Sequence, residues 1–297
     1  DTYKTMIELF DILITAATLI ILTIASISDL RTREIPDWLS YGLLFFVVAT
    51  RGLESILLKD SYYIIQTMIF FAIFFAFGNI MYYTRQWGGG DTKLITALGS
   101  ALAIKPSFLG GISIVPFPAI LLLNILVVGA IYGLFYAVYL SFKHKKEFKK
   151  EFKKLNHAPK TIGIKVGMLI IALTLFILSF TLFPRETRGV TSIIAITFLV
   201  VPYLITALKS TELACMYKQI LVTNLTEGDW IHNDVYKNKK LIYKVNPYGA
   251  DNKSIELLKK ANIKQVLVKE GIPFVPPFLL GTILTLVVSG TPFLPLI

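Results

Sequence analysis

Residues 62–83, YYIIQTMIFFAIFFAFGNIMYY, contain no charged side chain. A membrane helix needs about 20 mostly apolar residues, so this stretch alone restricts the chain to folds that bury such a helix in lipid or in a large core. Comparable segments recur at Ile12–Ile27, Trp38–Thr50, Ile114–Phe142, Ile162–Phe183, Val190–Leu208 and Val275–Ile297. An eighth, Leu94–Leu109, is short and interrupted by Lys105 and Pro106. Only 16% of the residues are charged, against about 25% in soluble proteins. The expected fold is therefore an all-α polytopic membrane protein of about eight transmembrane helices.

The positive charges set the topology, because loops on the cytoplasmic side collect Lys and Arg. With residues 28–37 inside and all eight segments crossing, 23 of the 30 basic residues fall inside, eight of them in residues 143–160 and eleven in 209–274. Both termini then lie outside. This use of the basic residues leaves no case for nucleic-acid binding, although the net charge is +11. The lone Cys215 and three scattered histidines, His144, His157 and His232, offer neither a disulfide framework nor a zinc site. No removable signal peptide is visible at the start.

The organisation expected is a membrane core over residues 1–208, in which 162–208 add two helices and 143–160 form a basic loop. A small cytoplasmic α/β insert follows over 209–274, and a C-terminal membrane helix over 275–297. In the loop, Phe148, Phe152 and Leu155 recur at helical spacing among lysines, which suits a helix lying on an anionic lipid surface as well as a solvated loop. In the insert, LIYKVN and KQVLVKEG alternate like strands, and DNKSIELLKKAN opens on an N-cap, Asp251.

Two acids at the cytoplasmic edge of this topology carry the chemistry. Asp29 closes the first span and Asp91 follows Gly88, Gly89 and Gly90. At a helix C-terminus the dipole disfavours an anion and at an N-terminus it favours one. Asp29 is thus the partner expected to hold a proton and Asp91 the one expected to be ionised. Brought together, two such carboxylates share one proton and can activate a water for attack on a peptide carbonyl. The glycines are expected to supply positive-φ conformations and room for a substrate backbone. On spacing alone, two carboxylates on one membrane face suit a proton-coupled transporter equally, and the insert suits a scaffold that docks a partner.

The segments Asp29-Leu-Arg-Thr-Arg-Glu-Ile-Pro-Asp-Trp-Leu and Gly88-Gly-Gly-Asp91-Thr-Lys-Leu-Ile-Thr-Ala-Leu-Gly together resemble the two-part signature of the type IV prepilin peptidases, most closely their archaeal preflagellin (archaellin) branch. The resemblance covers the first 110 or so residues. It implies a GxGD membrane aspartyl protease with Asp29 and Asp91 catalytic, no metal and no cofactor. Its implied substrates are archaellin and pilin-like precursors, whose short basic leader is cut at the cytoplasmic face of the plasma membrane. Membrane lipids and a pilus or archaellum assembly machinery are the implied partners. Presenilin and signal-peptide peptidase share the GxGD element, but no Pro-Ala-Leu sequence follows near the C-terminus here. Bacterial members that also N-methylate their product carry paired CxxC cysteines; this chain has only Cys215, which implies a peptidase without methyltransferase activity. Archaeal relatives are often described with six spans. A basic leader would be drawn to acids near the site, and Glu34 and Asp37 are the candidates.

Overall fold

The computed structural model describes residues 2–110, 115–182, 184–246 and 248–288. The starts or ends of the expected segments at Ile114, Phe183 and 289–297 lie outside the described residues. The elements are α1 (Thr2–Thr32), α2 (Asp37–Leu58), α3 (Tyr62–Tyr83), α4 (Gly89–Ala101), α5 (Phe117–Lys143), α6 (Lys145–Asn156), α7 (Pro159–Thr181), α8 (Arg185–Cys215), β1 (Tyr217–Leu221), β2 (Val235–Lys237), β3 (Lys240–Tyr243), α9 (Asn252–Lys260), β4 (Gln265–Lys269) and α10 (Val275–Val287). Six of these, α1, α2, α3, α5, α7 and α8, are long and apolar enough to cross a membrane. The chain is a multi-pass membrane protein.

The doubtful segment near Leu94 becomes α4, only 13 residues long and buried along nearly its whole length. Its small residues explain why it can sit inside the bundle. A Cβ on Gly99 would lie 2.0 Å from Phe74 Cγ, so α3 and α4 approach each other at a distance that only glycine permits. Packed round α4 are α1, α2 and α3, while α10 packs against α5 and α1. Gly281 lets α10 close on α5, since a Cβ there would stand 2.7 Å from Ile125 Cα. Asn124 Nδ2 donates to Thr285 Oγ1 across the same contact (3.0 Å). Leu22, Leu39, Leu94, Leu98, Leu121 and Phe278 form the centre of the core.

Trp87, which follows α3, belongs to the core. It is 5% exposed and packs edge-on against Phe77 and Phe278 and at a tilt against Phe274. Asp11, in α1, is buried too. Its Oδ1 accepts from Arg51 Nη2 (2.9 Å), whose Nη1 donates to Glu54 (2.6 Å), and all three residues are buried. Their spacing in the sequence hides this cluster, because Arg51 reads as the end of a span rather than as a partner for α1.

Helices α7 and α8 form a hairpin, with α6 packed against α8. The rings of Phe148 and Phe152 stack on one side of α6 (centroids 5.6 Å). Helix α8 continues past Leu208 to Cys215, so residues 209–215 are helical. The insert that follows has two two-stranded antiparallel sheets, β1–β4 and β2–β3, with α9 capped by Asp251, whose side chain accepts the Ser254 N–H (3.0 Å). Its own core gathers Val222, Ile231, Tyr243, Ile255, Leu258 and Val268.

Candidate active site

Asp29 lies on the last turn of α1 and is 6% exposed. The chain then reverses at Arg33, whose φ is +62°, and Ser28 Oγ and Thr32 Oγ1 donate to the Glu34 carbonyl to fasten the turn. Holding a non-glycine residue in the left-handed region costs energy; contacts of the Arg33 side chain offset it, with Nη2 donating to Tyr136 Oη (2.7 Å) and Nη1 to the Gly271 carbonyl (3.4 Å). The carboxylate of Asp29 meets a second helix: its Oδ2 accepts the backbone N–H of Val275 at the start of α10 (2.9 Å). Pro276 and Pro277 fix that start, because proline favours the first turn of a helix and has no N–H to leave unpaired. The dipole of α1 disfavours an anion at Asp29, and the dipole of α10 offsets it.

Asp91 is the third residue of α4. Its Oδ2 accepts the N–H of Gly88 (3.0 Å), the extended residue that caps the helix. The three glycines do not adopt positive φ; among the described residues the positive-φ glycines are Gly228 and Gly249, both in the insert. Gly90 instead serves close approach, since a Cβ there would lie 3.1 Å from Ile35 Cβ in the α1–α2 turn. A larger residue would push that turn, and with it Asp29, away from α4.

The fold brings Asp29 and Asp91 to one place. Both line a cavity of about 950 Å³ and an adjoining one of about 590 Å³. Burial, and after it the nearby Asp29 carboxylate, push the Asp91 carboxyl up to about 7, with the Gly88 N–H opposing both. Desolvation and a like charge both disfavour the anion. A carboxyl held near 7 beside a second carboxyl is an arrangement that can keep one proton between two acids at neutral pH.

Glu34 and Asp37 line the smaller cavity. Asp37 is engaged by Lys93 (2.6 Å), whereas Glu34 has no ion-pair partner among the described residues. Three further contributors carry no motif that sequence reasoning could have found. Arg33 stands beside Asp29 in both cavities, and the insert brings Asp229 and Trp230 to the same two. Among the described residues, no group of three or more His, Cys, Asp or Glu is placed to hold a metal ion.

Residues 16–137, from α1 through most of α5, match the family model described as the Type IV leader peptidase family. The chain is 33% identical over 132 residues to a protein of Methanothermobacter thermautotrophicus named prepilin peptidase EppA, covering 40% of this chain and 34% of that protein. It is 38% identical over 81 residues to a preflagellin peptidase of Methanocaldococcus jannaschii (27% of this chain, 34% of the relative). With a preflagellin peptidase of Methanococcus maripaludis it shares 33% identity over 132 residues (41% and 52%). The chain thus spans between about a third and a half of the length of these relatives. No solved structure matches. The matched segment holds Asp29 and Gly88 to Asp91, while α6 to α10 and the insert lie beyond it.

Proposed function

We propose that this chain, which through residues 16–137 belongs to the type IV leader peptidase family, is a membrane aspartyl endopeptidase that removes the leader of archaellin or type IV pilin-like precursors. The observation that carries the reading is the placement of Asp29 and Asp91 in one cavity, with the Asp91 carboxyl pushed up to about 7 partly by its neighbour. The names of the relatives support the substrate class.

In this mechanism the pair holds one proton, and Asp91 carries it. That reverses the roles suggested by each helix taken alone: each acid accepts one backbone N–H, and the reading puts the proton on Asp91, the carboxyl pushed up to about 7. Asp29 takes a proton from a water between the two acids, and the water attacks the scissile carbonyl. Asp91 donates a hydrogen bond to the developing oxyanion. The proton taken by Asp29 then passes to the leaving amine. In the charge-derived topology the pair faces the cytoplasm, and the basic α6 and the lysines of the insert lie on that side. An apolar substrate helix can then stay in lipid while its leader reaches the acids. The reading includes no N-methylation, since the one cysteine, Cys215, cannot supply paired CxxC motifs and is buried against the Leu140 carbonyl (3.7 Å).

The test is incubation of the purified full chain with a precursor and mass determination of the products. A single cut just before the apolar segment is the expected result, and an intact precursor across the archaellin and pilin-like classes would contradict the reading.

A further inference from the structure

Helix α6 carries six lysines in 12 residues. Its neighbours in the chain are both long apolar helices, α5 ending at Lys143 and α7 beginning at Pro159. The direction of α6 follows from the contacts at its two ends. At its start, the hydroxyls of Ser141 on α5 and Thr211 on α8 share a hydrogen bond (2.7 Å), and Cys215 Sγ donates to the Leu140 carbonyl (3.7 Å). At its finish, Lys165 of α7 donates to Asn156 and sits over the ring of Tyr203 in α8 (4.2 Å). Farther along, Ser179 meets Thr191 (2.5 Å), so α7 and α8 run antiparallel. Stepping back along α7 from Lys165 to Pro159 therefore reaches the level of Lys209, close to Thr211. At a rise of 1.5 Å per residue α6 is about 18 Å long, yet it begins and ends at nearly one depth along α8. It lies across the end of the bundle, in the plane of the membrane surface.

Residue types separate around this helix. Phe148, Phe152 and Leu155 are half-buried and mark its inner face. Glu147 and Glu151 fall on one flank of them, and the Glu151 side chain is turned inward, 23% exposed against 75% for Lys154. On the other flank Lys145, Lys149 and Lys153 stand four residues apart, all exposed, and form one ridge beside the phenylalanines. None of these three has an ion-pair partner among the described residues; the ion pair within α6 joins Lys154 to Glu151. Like charges four apart destabilise a helix, so the ridge is left for an anion from outside the chain to offset. Exposed apolar residues border it at both ends, Tyr139 and Phe142 before it and Ile162 and Ile164 after it. They set the ridge at the edge of the hydrocarbon, where lipid headgroups lie.

We propose that Lys145, Lys149 and Lys153 form a binding site for the anionic headgroups of membrane lipids, with the exposed Phe142 and Ile162 against the acyl chains. The in-plane course of α6 and its apolar borders favour a lipid over an acidic protein, which would meet the ridge from the water. Each lysine near an anionic surface adds roughly fivefold in affinity. Helix α6 lies beyond residues 16–137 that match the family, and the proposal does not rest on the peptidase reading.

The test is binding of a fluorescent short-chain phosphatidylglycerol to the purified full chain in neutral detergent, with a phosphatidylcholine of the same chain length as reference. Wild type is expected to prefer phosphatidylglycerol at least about tenfold. The triple variant Lys145→Gln, Lys149→Gln, Lys153→Gln keeps good helix formers at exposed positions and is expected to lose that preference. Lys149→Gln alone is expected to lower it about fivefold, which keeps the test valid if the triple variant does not fold. Lys253→Gln, Lys259→Gln, Lys264→Gln makes the same change of charge at exposed positions of the insert and is expected to leave the preference intact. An unchanged preference in both α6 variants, or an equal loss in the insert variant, would overturn the proposal. So would a glutamate-rich peptide that binds the ridge more tightly than phosphatidylglycerol does.

Discussion

The Val275 N–H at the start of α10 donates to Asp29 at the end of α1, 2.9 Å away. These residues are 246 positions apart, and their contact joins α1 to α10, near the other end of the chain. It gives a buried carboxylate the N-terminus of a second helix to face. Asp91 receives the same kind of support from Gly88 within its own helix. Each acid is thus held by a backbone N–H rather than by a side chain.

The Asp91 carboxyl, at about 7 in the folded chain against 3.8 for the free side chain, makes stability depend on pH. The folded state binds the proton more tightly than the unfolded one, so the contribution is full below about pH 3.8 and is lost as pH rises through about 7. Asp91→Asn removes this dependence. Thermal unfolding in detergent should show the wild type losing at least ~1 kcal/mol more than the variant between pH 5 and pH 8. Cleavage should fall on an alkaline limb near pH 7 as the shared proton is lost.

The Asp11–Arg51–Glu54 cluster is buried, with Arg51 at 1% exposure. Arg51→Met leaves two acids facing each other in the core and should cost about 3–5 kcal/mol. The Glu151–Lys154 pair on α6, in which Lys154 is exposed, should cost less than about 1 kcal/mol when broken by Lys154→Ala. Melting temperatures of the two variants in the same detergent check the contrast.

Gly99 has Phe74 where a Cβ would go, at 2.0 Å from Cγ. Gly99→Ala should destabilise by about 1–3 kcal/mol or more through overpacking. Gly52→Ala, with nothing within 4 Å of its Cβ, should be neutral or slightly stabilising in mid-helix. The yield of monodisperse protein and its melting temperature distinguish them.

How much of this was legible in the sequence depends on the range of the interaction concerned. Apolar length marked the six long helices, and the acid after the first span with the glycine run before Asp91 marked two acids that the fold brings to one cavity, because these are local patterns. The α9 cap at Asp251 was local too. What escaped was set by distant partners. Nothing near Asp29 announces Val275, so the local dipole argument misses the second helix N-terminus that faces this acid. Arg51 and Asp11 look interfacial until α2 is laid on α1. The glycine run reads as freedom of φ, yet Gly90 is required for the approach of Ile35. Asp229 and Trp230 lie beyond the recognisable motif, and only the folding back of the insert brings them to the acids.

The most direct test of the central claim is leader removal from archaellin and pilin-like precursors by membranes carrying the wild type, Asp29→Asn or Asp91→Asn, with folded protein in each confirmed by size-exclusion profile. The two-aspartate account predicts cleavage by the wild type and a loss of at least about 10³-fold in either variant. Cleavage by either variant at near wild-type rate would take that residue out of the mechanism and contradict the account.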